Sequence, residues 1–309
     1  MGDRVSTALV RYRGLATRAL LRSMGCTEHD VRRSIASGFV HSVRRSWLAT
    51  THADPEAVRA VELGGVLSGE SALRSMGIWV SQRTGLCVAA PRTASRLPAL
   101  RQGEYRVFPS SFRWPTGMPW RTDAVTSLVV LAKRVQPFDL IASIDSAVHG
   151  GHLTVQGLDE LFSRLPRSIG RFRSLVNGKS ESGIESILRV AAIQRGWRVQ
   201  VQVLIDGLGR VDLLIDGWLI VEADGDEFHA SRAQRERDRV RDAAAVRCGM
   251  RTHRFGYAQV MGDLDGCLDV IADLLAAGPP SRSSWLRPPT GSRMRPATGS
   301  LSYRPAVSG

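Results

Sequence analysis

The stretch VEADGDEFH, residues 221–229, places four carboxylates, Glu222, Asp224, Asp226 and Glu227, within six positions. The chain around them is strongly basic, with a formal charge of +13. Carboxylates held this closely repel, and one must stay protonated unless a cation bridges them. Mg²⁺, or Mn²⁺ in its place, removes the conflict. Mg²⁺ takes oxygen ligands, keeps several waters and is typically held by one or two carboxylates plus phosphate oxygens. Such an ion can generate hydroxide and stabilise charge on a phosphodiester. The chemistry within reach of these residues is therefore metal-assisted hydrolysis of a phosphate ester.

An apolar run, VDLLIDGWLI, leads into the acids and reads as buried strand. Alternate strand residues face the same side, so Glu222 and Asp224 point one way and Ala223 the other. Asp212 opens the preceding strand, which returns through an Asp216-Gly217 turn, and Asp-Gly pairs are hairpin signals. Pairing across that turn puts Leu213 near Leu219 or Ile220 and leaves Asp212 within a few residues of Glu222. The expected metal ligands are thus Asp212, Glu222 and Asp224. Asp226 and Glu227 read as turn residues.

Residues 166–277 supply the frame for these acids. A helix over SESGIESILRVAAIQRG is followed by strands WRVQVQVLI, RVDLLI and WLIVEAD, joined by DGLG and DG turns. The long helix SRAQRERDRVRDAAAVRCG ends at Gly249. Strand MRTHRFGY and an amphipathic helix, VMGDLDGCLDVIADLLAAG, close the unit. The order αβββαβα predicts an α/β sandwich around a mixed sheet.

Residues 1–80 predict a second unit. CTEHDVRRSIASG carries an N-cap pattern at Thr27 and Asp30 and stops at Gly38. A strand-like FVHSVRRSWLAT follows, with Arg44 and Arg45 at its middle. Helix, Gly and basic β-ribbon is the order of a winged helix-turn-helix, whose helix enters the major groove while the ribbon touches backbone. A small helical domain with an ordinary hairpin is the other reading. Residues 81–165 read as a mixed and helical connecting region. The stretch GGVLSGESALRSMGIWV, residues 64–80 just before that region, reads as a further Gly-punctuated helix. Asp145 and His149 lie four apart there and His152 falls past the helix end, which reads as a solvated terminus rather than a ligand set. Residues 278–309 hold five Arg and no acid among Pro, Gly and Ser, a composition for a disordered basic tail.

With 309 residues, 43% of them hydrophobic, two or three cores can form. Lys plus Arg number 42 against 29 Asp plus Glu, and only Lys133 and Lys179 are lysines. Arginine is the side chain shaped for bidentate phosphate contact. The balance points to nucleic acid first and an anionic membrane surface second; a genome rich in Arg codons would produce the same count. Cys26, Cys87, Cys248 and Cys267 form no CxxC pair, so neither a disulfide scaffold nor a zinc site is expected. No apolar run reaches the roughly 18 residues of a membrane span. The expectation is a cytoplasmic protein with DNA as partner and no membrane association. The sequence carries no signal for oligomeric state.

On the quoted residues, RVDLLI…WLIVEADGDEFH…RERDRVRDAAAVRCGMRTHRF resembles the PD-(D/E)xK nucleases. More narrowly, it resembles an endonuclease-like family related to very-short-patch repair (Vsr) endonucleases. The resemblance spans roughly residues 180–275. It implies a restriction-endonuclease-like fold, with Asp212 as the central metal-binding acid, Glu222 as the second and Glu185 as the acid of the first helix. Ser182-x-x-Glu185 is equally a capping box. Asp224 stands where the family pattern has Lys, so another group must orient the attacking water. His229 is the nearest candidate as general base, with helix capping as its other reading. Arg254, Arg235 and Arg239 are the expected phosphate contacts, although Asp238 and Asp242 share a helix with the last two. The N-terminal unit resembles the winged helix of AbiEi-type antitoxins. Two functions follow: a metal-dependent DNA endonuclease, or a non-catalytic DNA-binding regulator that keeps a nuclease-like scaffold.

Overall fold

Side-chain caps start most of the helices where the sequence places them. In the computed structural model, which describes residues 3–44, 46–81, 85–110, 112–224 and 232–280 (232–238 as backbone), Asp3 opens α1 (Arg4–Val10) by accepting from the Ser6 N–H at 2.7 Å. Strand β1 (Leu15–Thr17) runs into α2 (Arg18–Ser23), capped by Thr17. Helix α3 (Glu28–Ala36) begins with the expected reciprocal box of Thr27 and Asp30. Strands β2 (Val40–Arg44) and β3 (Trp47–Thr50) form a hairpin, and β1 completes an antiparallel sheet in the order β1-β3-β2. Val5, Leu9, Leu21, Val31 and Leu48 form its core.

The middle of the chain holds α4 (Pro55–Glu62), β4 (Val66–Leu67), α5 (Gly69–Ser75), β5 (Leu86–Ala89), β6 (Glu104–Val107), α6 (Ala124–Leu131), α7 (Pro137–His149), α8 (Val155–Arg164) and α9 (Arg167–Gly170). The single helix expected over GGVLSGESALRSMGIWV is instead a strand followed by a helix. At Gly65 a Cβ would lie 2.2 Å from the Ala89 carbonyl oxygen, so only glycine lets β4 close onto β5. Ladder hydrogen bonds there outweigh the helical period.

The C-terminal unit comprises α10 (Gly183–Gln194), β7 (Val199–Ile205), β8 (Gly209–Ile215), β9 (Leu219–Asp224), α11 (Arg232–Arg247), β10 (Arg251–Gly256), α12 (Tyr257–Gly262) and α13 (Leu264–Ala277). Its sheet runs β10-β9-β8-β7, antiparallel except that β10 is parallel to β9. Leu213, Ile215, Leu219 and Val221 pack with Leu188 of α10 and Ile271 of α13. Leu214 and Ile220 pack with Ala245 of α11 on the other face. The chain is thus mixed α+β, with helices on both faces of this sheet. The helix expected at the C-terminal end is broken in two at Asp263, whose carboxylate accepts from the Gly266 N–H at 2.9 Å and starts α13 afresh.

Two turn expectations need correction. Ile215 pairs with Leu219, so the Asp216-Gly217 connection is a three-residue loop that includes Trp218, with Asp216 at φ +49° and Gly217 at φ +80°. The extra residue moves the register, and Leu213 pairs with Val221 rather than Leu219 or Ile220. Asp145 is not a solvated terminus either. It is fully buried between α7 and α10, where Arg189 Nη2 reaches it at 2.7 Å. His149 Nδ1 lies 3.1 Å from the Gly178 carbonyl. Among the described residues no helix is long and apolar enough to cross a membrane. The expected basic tail, 281–309, lies outside the described residues.

Candidate functional site

The β8–β9 ladder runs from Ile215↔Leu219 to Leu213↔Val221 and stops. One step further, where the strands part, Asp212 and Glu222 occupy opposed positions. Asp212 Oδ2 accepts from the Ala223 N–H at 3.0 Å, so a side chain replaces the missing rung. Its Oδ1 accepts from Gln202 Nε2 at 3.2 Å. The same amide nitrogen donates to Glu185 Oε1 at 3.1 Å, tying the two acids together. Gln202 does this from mid-strand β7 with φ +52°, between the pairs Val201↔Leu213 and Val203↔Val211. A non-glycine residue in that region costs about 1–3 kcal/mol, tolerated where surrounding contacts over-determine it.

Glu185 sits in the first turn of α10. Ser182 Oγ accepts from the Glu185 N–H at 3.2 Å, but Glu185 returns no bond to Ser182. Its Oε2 reaches past the cap to the Glu181 N–H at 2.9 Å. Only half of the expected capping box therefore forms, and the carboxylate is turned toward Gln202 and Asp212. Burial raises the Glu185 pKa to about 7, the charge of Asp212 adds to the rise, and the bonds from Gln202 and the Glu181 N–H oppose it. A carboxyl tuned to neutrality can take up or release a proton at physiological pH.

Glu222 is also buried, on the flank of the sheet covered by α11. Arg241 Nη1 reaches Oε1 at 2.9 Å and Arg254 Nε reaches Oε2 at 2.7 Å. Burial raises the Glu222 pKa, and the two guanidinium groups pull it back down. Arg254 turns its fork to Asp242, at 2.8 and 3.2 Å, and these bonds raise its own pKa. Arg241 also donates to the carbonyls of Leu208, at 3.1 Å, and Arg210, which pins α11 to the β7–β8 connection.

The structure thus joins Glu185 of α10 and Asp212 of β8 through Gln202, and holds Glu222 of β9, opposite Asp212, on two arginines. Asp224 lies two positions further out, exposed at the end of β9. Arg254, expected on phosphate, is held by Glu222 and Asp242. Asp242, expected in a pair along its own helix, is turned across to β10. Arg239 is exposed on α11, and Arg235 lies in the same helix with its side chain outside the described residues. His229 and Arg45 also lie outside them. Arg44 ends β2, with Nη1 3.3 Å from the Glu62 carbonyl. Two contributors went unread in the sequence. Gln202 was legible only as a polar residue in the alternating VQVQV, and Arg241 was one arginine among many in RERDRVRD.

Among the described residues no group of three or more His, Cys, Asp or Glu is arranged to hold a metal ion. Glu185 and Asp212 fit a hard cation as oxygen donors, because they already converge on one shared N–H donor group. Glu222 fits only when Arg241 and Arg254 release its oxygens.

No family model matches this chain, and no curated protein matches it. A solved structure, that of the RV2827C protein from Mycobacterium tuberculosis, is similar at 18% identity over 65% of this chain and 83% of that chain, with a TM-score of 0.26.

Proposed function

We propose that the protein is a metal-dependent DNA endonuclease of the PD-(D/E)xK kind, with its acidic centre at the open end of the four-stranded sheet. The observation that carries this reading is the pair Glu185 and Asp212, joined through the Gln202 amide where β8 and β9 part, with Glu222 across the ladder from Asp212. Asp212 and Glu185 would hold Mg²⁺ or Mn²⁺, which when bound supplies a hydroxide nucleophile and neutralises charge on the phosphate. Metal-free, Glu185 keeps its proton up to about pH 7 and would release it to take the cation. Arg254, anchored by Asp242, fixes the orientation of Glu222. Gln202 keeps the first two acids at a common distance from one donor. Arg239, exposed on α11, would contact the backbone of the substrate.

The N-terminal unit serves as the DNA-holding module. What supports this is the order of α1, β1, α2, α3, β2 and β3 with the sheet β1-β3-β2, in which α3 takes the place of a recognition helix and the Arg44 hairpin that of a wing. A net charge of +13 favours a polyanion.

One observation favours a second reading, a DNA-binding regulator without catalysis. Each oxygen of Glu222 already carries a guanidinium. Supercoiled plasmid with Mg²⁺ or Mn²⁺ separates the two. Nicking by the wild type that is abolished in both Asp212→Ala and Glu222→Ala supports hydrolysis. Binding without nicking under either metal supports the regulator, and cutting that survives both substitutions removes the acidic centre from the argument. Because Glu185 must be ionised to hold a cation, the nicking rate should rise with pH through about 7.

A further inference from the structure

The loop after β6 contains FRWPTGMPW, residues 112–120. Pro115 and Pro119 restrict its backbone. The loop presents Trp114 with 51% of its surface exposed, edge-on to Phe112 with ring centroids 5.3 Å apart. Leaving an indole this open forgoes burial that a fold ordinarily takes. The two rings border an open cavity of about 630 Å³, lined also by Met76, Met118, Arg113 and Arg121. Ligand sites for small molecules span roughly 300–1,000 Å³.

The charges around this cavity are unequal. Its acids are engaged: Asp123 caps α6, accepting from the Thr126 N–H and hydroxyl, each at 2.8 Å, and Glu160 is paired with Arg164 at 3.1 Å. Arg121 donates through Nη1 to the Ser75 carbonyl and hydroxyl, at 2.7 and 3.0 Å, and its guanidinium lies over the Trp120 ring. The half-buried Arg121 and the exposed Arg113 give a positive rim beside an aromatic wall. Trp114 also borders a second cavity of about 300 Å³, shared with Trp47 and Arg44 of the N-terminal hairpin. The aromatic wall therefore continues directly into the basic ribbon.

We propose that this cavity is a stacking site for one unpaired nucleotide, with its base against Trp114 and Phe112 and its phosphate at Arg113 and Arg121. Aromatic rings accept any base face, and guanidinium groups match phosphate geometry. The same chemistry serves a base splayed from a strand held by the hairpin or a free mononucleotide. The site is separate from the acids of the C-terminal sheet and does not rest on their reading.

The test uses the full chain and a fluorescently labelled oligodeoxythymidylate 12-mer, with affinity read by anisotropy at fixed salt. Trp114→Ala should weaken binding about tenfold, the size of one lost stack, while Trp114→Phe stays within about threefold of the wild type. Arg113→Ala should weaken binding and flatten its salt dependence. The titrations are run in EDTA, where the acidic centre holds no divalent cation, so failure of that centre and failure of this site read differently. Competition by AMP sorts the source: displacement at concentrations matched to the oligonucleotide supports a free nucleotide, and weak displacement supports a strand. Because Trp114 is half exposed, a melting temperature equal to that of the wild type certifies the variant. Equal affinity of Trp114→Ala and wild type, or no binding of either probe by the wild type, overturns the proposal.

Discussion

Asp145 on α7 and Glu222 on β9 are both buried carboxylates paired with arginine, and their surroundings separate them. Asp145 has no exposed surface, and its partner Arg189 is 2% exposed. The Asn177 N–H donates to it at 2.7 Å, so the acid is enclosed on every side. Burial raises its pKa and Arg189 pulls it back, while the Arg189 Nε stays buried without a partner. Glu222 is nearly as buried, yet its two partners, Arg241 and Arg254, are 31% and 28% exposed. Solvent, or a phosphate, can reach the cations without unpacking a core. An enclosed pair joins two helices, whereas a pair with an open flank can exchange one partner for a ligand. The same charges thus serve cohesion in one place and chemistry in the other.

The largest break in this comparison is Arg189→Met. It strands Asp145 without its cation and should cost about 3–5 kcal/mol, seen as a lower denaturation midpoint. A loss below 1 kcal/mol would show that Asp145 reaches water by another route. Second comes the titration of Glu185. Its pKa rises from 4.5 to about 7 on folding, so the protonated form is the one the fold prefers. Stability should therefore fall as pH climbs from about 4.5 to 7 and level off above, by up to about 3 kcal/mol. In Glu185→Gln that slope should vanish, and a slope that persists assigns it to another group. Third, Glu222→Gln should destabilise by only about 1–2 kcal/mol, because both guanidinium groups can turn to solvent. A loss equal to that of Arg189→Met would erase the distinction. The smallest effect belongs to Gln202→Gly, where relief at φ +52° offsets the lost bridge and stability moves by less than about 1 kcal/mol. Without the amide donor the Glu185 carboxyl should titrate at higher pH, a shift read by carbon-13 NMR, and an unmoved titration would remove Gln202 from the site.

Legibility followed the distance between interacting residues. The Thr27–Asp30 box spans three positions, and both of its halves were readable from residue type. The strands around VDLLI and WLIVEAD declared themselves by apolar runs between Asp-Gly pairs. The loop size did not, because two- and three-residue connections use the same residues, and that single residue set the register that brings Asp212 level with Glu222. Asp145 and Arg189 lie 44 positions apart, and nothing near either one distinguishes a buried acid from a solvated one. Gln202 is hidden for another reason: its left-handed backbone contradicts the strand pattern around it.

From residue types alone came the mixed α+β class, the acids of the C-terminal unit and the expectation that they lie at a strand end. Tertiary structure decided which acids meet, that Glu185 turns away from its cap to face Asp212, and that Glu222 is claimed by Arg241 and Arg254. Caps, turns and alternation act across a few residues and depend on their identity. Proton affinity and ion pairing depend on burial and on which distant side chains arrive alongside, and those conditions exist only once the chain has closed on itself.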